Sequence, residues 1–276
     1  MPRLVLCTLG DLLLDVIVRL DEPLQPGTDA AALTRTGSGG QAANVAAWAA
    51  SLGAEARFVG KRGDDPAASL AASELARLGV EVLGPVVLGR NGVVVSIVGP
   101  RGERSMASDR GVAPSLSVEE LDPVWFDGVT HLHLSGYSLM SEPIDGAAVR
   151  AAELVRAAGG SLSVDLASTS VIERFGAERL RESLAALAPD IVFANEEELE
   201  AIGSEALPDA TWAIKRGAAG CAIVQGGERR EFPAVPTTVV DTTGAGDAFA
   251  AGYLVGGVEL ALETAARAVA ELGATP

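Results

Sequence analysis

A glycine-rich turn near the C-terminus is the stretch of this sequence best suited to chemistry. Residues 240–249 read VDTTGAGDAF, a β-branched run that ends in two threonines and a Gly-x-Gly turn. Gly244, Ala245 and Gly246 would expose backbone N–H groups at a helix N-terminus, where the helix dipole favours an anion. Asp247 would repel phosphate there unless it faces a hydroxyl that must lose a proton. The turn therefore predicts phosphoryl transfer to an alcohol, with Asp247 as base, although an ordinary helix cap uses the same residue types.

A second glycine motif lies upstream, where residues 37–46 read GSGGQAANVA. Its first six residues fit the Gly-x-Gly-x-x-Ala fingerprint of nicotinamide oxidoreductases. That fingerprint must follow a hydrophobic strand, and the preceding residues 30–36, AAALTRT, make a poor one. A Walker-type phosphate loop is also excluded, because no Gly-x-x-x-x-Gly-Lys-Ser/Thr string occurs.

Together the two motifs resemble the paired signatures of the PfkB (ribokinase-like) carbohydrate kinase family, in the same order and over essentially the whole chain. The resemblance implies a three-layer α/β/α fold with a mostly parallel central sheet and a small antiparallel β lid. It also implies ATP- and Mg²⁺-dependent phosphorylation of a hydroxyl of a small sugar or sugar-like substrate. Asp247 matches the base of the family, and the Gly244–Gly246 turn matches its anion hole.

Four residues match the sugar site of the family. The resemblance implies that Asp15 and Asn44 hold the sugar and that Gly39 and Gly40 form the hinge of the lid. Asp15 also lies just past the first strand, at the carboxyl edge where open α/β sheets bind ligands. Without the resemblance, Asp15 would pass as a polar loop residue and Asn44 as a buried helix amide. Asp11 is a further candidate without a matching family position.

The nucleotide side of the resemblance rests on two short patterns. Asn195 and Glu198 reproduce an Asn-x-x-Glu pattern that, in the family, positions phosphates and, through water, Mg²⁺. A capped helix with acidic residues in its first turn would show the same pattern. Lys215, Gly217 and Gly220 resemble the nucleotide-contacting turn. The two glycines are equally typical of a hairpin, and the lysine of a solvated surface charge.

A monovalent cation is the third expected ligand. Backbone carbonyls at positions that match Asp241 and Thr243 hold one in many relatives, which adds K⁺ to the expected cofactors ATP and Mg²⁺.

Two departures from ribokinases proper leave the substrate open. Residues 39–44 read GGQAAN where ribokinases resemble Gly-Gly-Lys-Gly-Ala-Asn, and Leu13 stands where they carry an asparagine. A nucleoside kinase therefore stays as an alternative. A catalytically silent sugar-binding regulator is the other, because fold alone never fixes function. The basic residues that would suit a phosphorylated or acidic sugar, or are surface charges, are Arg35, Lys61, Arg62, Arg104 and Arg110.

The composition limits the partners. A net charge of −16 and a pI of about 4.5 argue against nucleic acid and anionic membranes. No apolar run approaches the ~20 residues of a membrane span, and the N-terminus lacks a signal-peptide pattern, so we expect a cytoplasmic protein. Cys7 and Cys221 are expected in the core, and His131 and His133 in structural positions on a strand.

Short apolar runs alternate with helical stretches, which predicts a mostly parallel sheet covered on both faces. The strand-like runs are 4–9, 56–59, 130–134, 161–166, 191–194, 212–214 and 221–225. Residues 15–20 with 31–35, and 92–98 with 100–106, instead alternate as paired strands do. They predict a small antiparallel sheet, formed by about residues 12–37 and 90–111, inserted in one kinase domain of residues 1–276. In the family this sheet is the lid and often a contact between two copies.

Overall fold

The computed structural model describes residues 4–100, 104–203 and 207–276. Among these residues the strands are, in chain order, β1 (Val5–Leu9), β2 (Leu13–Leu20), β3 (Ala32–Gly39), β4 (Glu55–Val59), β5 (Arg62–Gly63), β6 (Val80–Leu83), β7 (Val86–Val87), β8 (Asn91–Val98), β9 (Arg104–Gly111), β10 (His131–Ser135), β11 (Ser161–Asp165), β12 (Ile191–Asn195), β13 (Thr211–Lys215), β14 (Cys221–Gln225) and β15 (Glu228–Phe232). The α-helices are α1 (Gln41–Ser51), α2 (Pro66–Arg77), α3 (Gly136–Leu139), α4 (Ile144–Ala157), α5 (Thr169–Phe175), α6 (Ala177–Leu187), α7 (Glu196–Ile202), α8 (Ala245–Gly256) and α9 (Val258–Val269).

Nine of the strands in the described residues form the central sheet, in the order β15-β14-β13-β12-β11-β10-β1-β4-β6. Neighbours run parallel from β13 to β6, and only β14 and β15 add antiparallel pairs at one end. The predicted mostly parallel sheet is confirmed. Its seven predicted strands are all present, because strands buried on both faces read as continuous apolar runs.

Helices cover the sheet on both faces. Val192 and Ala194 of β12 pack into one core together with residues of α4, α5, α6 and α7. Phe193, between them, packs into the other core with residues of α1, α8 and α9. Because successive strand residues point to opposite faces, these contacts establish the predicted three layers.

The helix termini follow their sequence signals. Asp65 caps α2 by accepting a hydrogen bond from the Ala68 N–H at 2.9 Å, with Pro66 in the first turn. Asn195 caps α7 in a reciprocal pair with Glu198. This second cap brings the start of α7 to the carboxyl end of β12.

Four strands form a separate small sheet in the order β3-β2-β8-β9. The β2–β3 and β8–β9 pairs are antiparallel, as predicted, whereas the central pair β2–β8 is parallel and joins them. Residues 101–103 of the predicted β8–β9 turn, and the side chain of Arg104, lie outside the described residues. In the described part of the chain, no helix is both long and apolar enough to cross a membrane.

Candidate active site

A cleft of about 830 Å³ opens at the carboxyl ends of β11, β12 and β13 and faces the first turn of α8. Open parallel sheets bind ligands at this edge. Of the predicted site residues, the cleft is lined by Asn195, Glu198, Lys215, Gly217, Gly220, Ala245, Gly246 and Asp247. It is lined as well by Asp165, which the sequence analysis did not single out.

The turn at Gly244 has a conformation that only glycine adopts easily. Gly244 has φ +73°, and a Cβ built on it would lie 2.5 Å from the carbonyl oxygen of Ala274. Helix α8 starts at the next residue, and within the described part of the chain no side chain caps its first amides. The N–H of Ala245 donates a long hydrogen bond of 3.4 Å to the Thr242 carbonyl. The first turn of the helix otherwise presents its backbone donors and the positive end of its dipole to the cleft.

Asp247 is hydrogen-bonded to Asn44, 203 residues away in sequence. The Nδ2 of Asn44 donates to Oδ2 of Asp247 at 2.8 Å. Burial raises the pKa of Asp247 to about 7, the hydrogen bond from Asn44 opposes that rise, and the charge of Asp165 adds to it. Asn44 is 5% exposed, and its Oδ1 is buried with no hydrogen-bond partner. A hydroxyl placed beside this pair would meet an acceptor for its proton in Asp247, and Oδ1 of Asn44 could accept from a neighbouring hydroxyl of the same molecule.

Gly39 and Gly40, the glycines predicted to form a hinge, lie together with Asp15 beside this pair. A Cβ on Gly39 would come within 2.1 Å of the Asp15 carboxylate, and one on Gly40 (φ +99°) within 2.2 Å of the Asp11 carbonyl oxygen. The charge of Asp15 also raises the pKa of Asp247. The predicted substrate residues thus lie between the small sheet and Asp247.

Lys215 lies inside the site, so its interpretation as a solvated surface charge is wrong. Its side chain is 17% exposed, and Nζ lies 2.6 Å from Oδ2 of the fully buried Asp165. Burial lowers the pKa of Lys215, but the charges of Asp165 and Glu198 outweigh that effect and raise it. Asp165 was missed because it was treated only as part of the strand-like run 161–166. Its position at the carboxyl end of that strand was the available signal.

Asn195 and Glu198 form the capped helix start and line the cleft as well. Oδ1 of Asn195 accepts from the Glu198 N–H at 2.7 Å, and Oε2 of Glu198 accepts from the Asn195 N–H at 2.9 Å. Burial raises the pKa of Glu198, and Lys215 opposes that rise. Within the ranges described, no group of three or more His, Cys, Asp or Glu side chains is arranged to hold a metal ion.

The loop before the turn is fixed by Asp241. Its Oδ1 accepts from the backbone N–H of Thr243 at 2.9 Å and from the Thr243 hydroxyl at 2.6 Å. Its Oδ2 accepts from the N–H of Gly273 at 3.1 Å. These contacts fix the loop that contains the predicted K⁺ site.

The other polar candidates have partners within the protein. Arg110 forms a bidentate ion pair with Asp11. Lys61 pairs with Glu120, Arg62 donates to the Gly84 carbonyl, and Arg35 donates to the Leu272 carbonyl.

The histidines and cysteines occupy structural positions. His131 and His133 both hydrogen-bond to Ser163, and burial lowers the pKa of each to about 3. Cys7 and Cys221 are buried and free.

Comparison with known proteins decides the family. Residues 4–275 match the model of the pfkB family carbohydrate kinases. The chain belongs to this family. An ATP-dependent ribose-1-phosphate kinase from Halopiger xanaduensis is 33% identical over 267 residues, 91% of this chain and 86% of that protein. A fructokinase from Escherichia coli is 31% identical over 269 residues, 90% of this chain and 82% of that protein.

Solved structures agree with this membership in the pfkB family. The structure of adenosine kinase from Sinorhizobium meliloti matches with a TM-score of 0.86 at 26% identity, covering 99% of this chain and 96% of that one. The oxidoreductase alternative fails on structure as well, because the Gly37–Ala42 string runs from β3 of the small sheet into α1. The strand that directly precedes it, β3, belongs to the small sheet, whereas a dinucleotide fold requires a strand of the central parallel sheet at that place.

Proposed function

We propose that this protein transfers the γ-phosphoryl group of Mg·ATP to a hydroxyl of a small sugar. Asp247 accepts the proton of that hydroxyl, and the amides of Gly244, Ala245 and Gly246 stabilise the charge on the migrating group. The observation that carries the proposal is the Asn44–Asp247 hydrogen bond of 2.8 Å beside the uncapped start of α8. It puts a proton acceptor and a set of anion donors within one turn of helix.

The lining of the cleft suits a nucleotide, on the side of the Gly244–Gly246 turn opposite the acceptor hydroxyl. Apolar side chains of Val235, Val239, Leu262 and Val269 line it, and Val239 is 61% exposed although it is a large hydrophobic residue. A planar base would cover such a surface, and the space beside Gly217, where a Cβ would meet no atom within 4 Å, allows its close approach.

Mg²⁺ fits the donor set beside the cleft. Asn195 and Glu198 supply the amide and carboxylate oxygens that this ion prefers, directly or through its waters. Bound with ATP, the ion neutralises charge on the phosphates. We also place K⁺ on the backbone carbonyls of Asp241 and Thr243, in the loop that Asp241 holds to the C-terminal segment.

The small sheet acts as the lid over the acceptor in this proposal, with Gly39 and Gly40 as its hinge. Asp15 reaches the acceptor from this lid, and Asn44 from α1. Because the guanidinium of Arg110 is already paired with Asp11, a neutral sugar suits the site better than a phosphorylated one. The proposed location of this reaction is the cytoplasm.

The outer face of the lid supports a homodimer. Leu14, Val16 and Val18 of β2 lie beside Val93, Val95 and Ile97 of β8. All six side chains are half-buried, whereas the alternate residues Leu13, Ile17, Val94 and Ser96 are buried. A half-exposed apolar sheet face is suited to pairing with a second copy.

A kinase assay tests the proposed function. ADP release is measured with Mg·ATP and a panel of fructose, ribose, ribose 1-phosphate and adenosine. We expect turnover with a neutral sugar, and a loss of kcat on the order of 10²–10⁴ in Asp247→Ala. Turnover with adenosine alone would establish the nucleoside kinase alternative. Tight binding of one compound with no ADP release would establish the silent regulator.

A further inference from the structure

The cleft contains one positive side chain against three carboxylates. Among the described residues that line it, Lys215 is the only one with a cationic side chain, and Asp165, Glu198 and Asp247 carry the acidic ones. Any polyphosphate that enters therefore depends on Lys215 and on backbone donors for its protein-derived positive charge.

The ammonium group lies beside the anion turn. A Cβ built on Gly246 would be 3.3 Å from Nζ of Lys215. Gly246 belongs to the first turn of α8, whose amides point at the same space. Lys215 thus adds a full charge to the place where the helix supplies partial ones.

Asp165 determines where that ammonium lies. Lys215 is on β13 and Asp165 on β11, so the lysine side chain crosses the end of β12 to make the 2.6 Å contact. The other carboxylate oxygen of Asp165 accepts from the Ala167 N–H at 3.1 Å. Ala167 has φ +73°, which is uncommon for a residue other than glycine. Asp165 is therefore held on two sides and fully buried.

We propose that Asp165 is a positioning residue, which fixes the Lys215 ammonium against the oxygens of the γ-phosphoryl group as it moves from ATP to the acceptor. The inference rests on the proposed function. In that reaction the bond from phosphorus to the β,γ-bridging oxygen breaks, the bond to the acceptor oxygen forms, and Asp247 takes the acceptor proton. The ammonium stabilises charge on the non-bridging oxygens throughout. Asp165 touches none of the reacting atoms and acts on the γ-phosphoryl group through Lys215. Because its charge also raises the pKa of Asp247, kcat is compared well above pH 7, where that base is ionised in every variant.

A double-mutant cycle tests the inference. Lys215→Gln is expected to lower kcat by on the order of 10²–10³, the usual loss of one preorganised charge-stabilising donor. Asp165→Asn is expected to lower kcat in the same direction with the KM of the sugar unchanged. If Asp165 acts through Lys215, the double variant is no slower than Lys215→Gln alone. Losses that multiply in the double variant would overturn the inference.

Asp190→Asn is the matched control. Asp190 also pairs with a cation, Arg156 at 2.8 Å, and also accepts a backbone N–H, from Leu162 at 2.7 Å. It lies outside the cleft lining. We expect its kcat to stay within about twofold of wild type, because uncoupled surface changes have small effects. If Asp165→Asn also leaves kcat unchanged and only lowers the Tm, the Asp165–Lys215 ion pair is structural and the inference is wrong.

Folding failure and failure of the proposed function are separated by two further measurements. The double variant Asp165→Asn with Lys215→Gln leaves no unpaired buried charge, so it is the form expected to fold if a single variant does not. A wild-type kcat in that form would overturn the inference.

Calorimetry with ADP and a non-hydrolysable ATP analogue needs no acceptor. The wild type should prefer the triphosphate, and both single variants should lose that preference while they keep their ADP affinity; an intact preference contradicts the inference even if no sugar is turned over.

Discussion

Asn44→Ala should move the pH at which the enzyme becomes active. Four groups face the Asp247 carboxyl: Asn44, Asp165, Lys215 and Asp15. Burial holds the pKa of Asp247 at about 7, and the hydrogen bond from Asn44 keeps it from rising further. The base must be ionised to accept a proton, so kcat/KM for the sugar should rise about tenfold per pH unit below pH 7 and level off above it.

The size of the shift follows from the lost hydrogen bond. A hydrogen bond to a charged group contributes about 1.5–3 kcal/mol, and 1.36 kcal/mol corresponds to one pH unit. Removal of the Asn44 amide should therefore move the acidic limb of the profile upward by about one to two pH units. The KM of the sugar should rise as well, because Asn44 Oδ1 is the acceptor proposed for a neighbouring hydroxyl of the sugar.

The assay is kcat/KM for the sugar at saturating Mg·ATP, from about pH 5.5 to 9.5. Ser51→Ala is the control, because it removes a side-chain hydrogen bond on the same helix, to the Trp48 carbonyl, away from Asp247. Its profile should coincide with that of the wild type. A wild-type profile that is flat through pH 7, or an acidic limb that Asn44→Ala leaves in place, would refute the assignment of Asp247 as base.

Three further expectations concern stability, cations and assembly. The pKa of Asp247 is higher in the folded than in the unfolded chain, so its contribution to stability is present at low pH and is lost as pH rises from about 4 to 7. At pH 8, Asp247→Asn should therefore have a larger free energy of unfolding than the wild type, by up to roughly 4 kcal/mol in urea titrations. An equal or lower value would contradict the raised pKa. Replacement of Na⁺ by K⁺ at constant ionic strength should raise kcat, and equal rates in the two salts would rule out the site proposed at Asp241 and Thr243. Light scattering should give the mass of a dimer for the wild type and of a monomer for Val16→Asp, which puts a charge on the outer lid face; a monomeric wild type would refute the dimer.

The strands could be predicted where their burial produces a simple sequence pattern. The central strands read as apolar runs because both of their faces are covered. The charged edge strand β15, ERREF, carries no such trace, since it is largely exposed. The short strand β6 directly follows the helix-ending Gly79 and was missed as well. Pairing partners were harder still: alternation marks β2 and β8 as strands, but nothing local says that they run parallel to each other.

Among the residues of the candidate site, too, those with a local sequence signal could be predicted and those that depend on long-range contacts could not. The glycine turns and Asp247 could be proposed from the sequence because turn geometry and anion binding demand particular residues at a fixed spacing. Asp165 was not found, because its role appears only when β11 and β13 bring it to Lys215, 50 residues on. For the same reason the sequence left Lys215 open between a surface charge and a site residue.

A crystal structure with a non-hydrolysable ATP analogue, Mg²⁺ and the sugar identified in the panel tests the central claim most directly. The account predicts the γ-phosphate within hydrogen-bond distance of the backbone amides of residues 244–246. It also predicts one sugar hydroxyl between that phosphate and the Asp247 carboxylate. A terminal phosphate bound elsewhere in the cleft, or a sugar with no hydroxyl near Asp247, would contradict it.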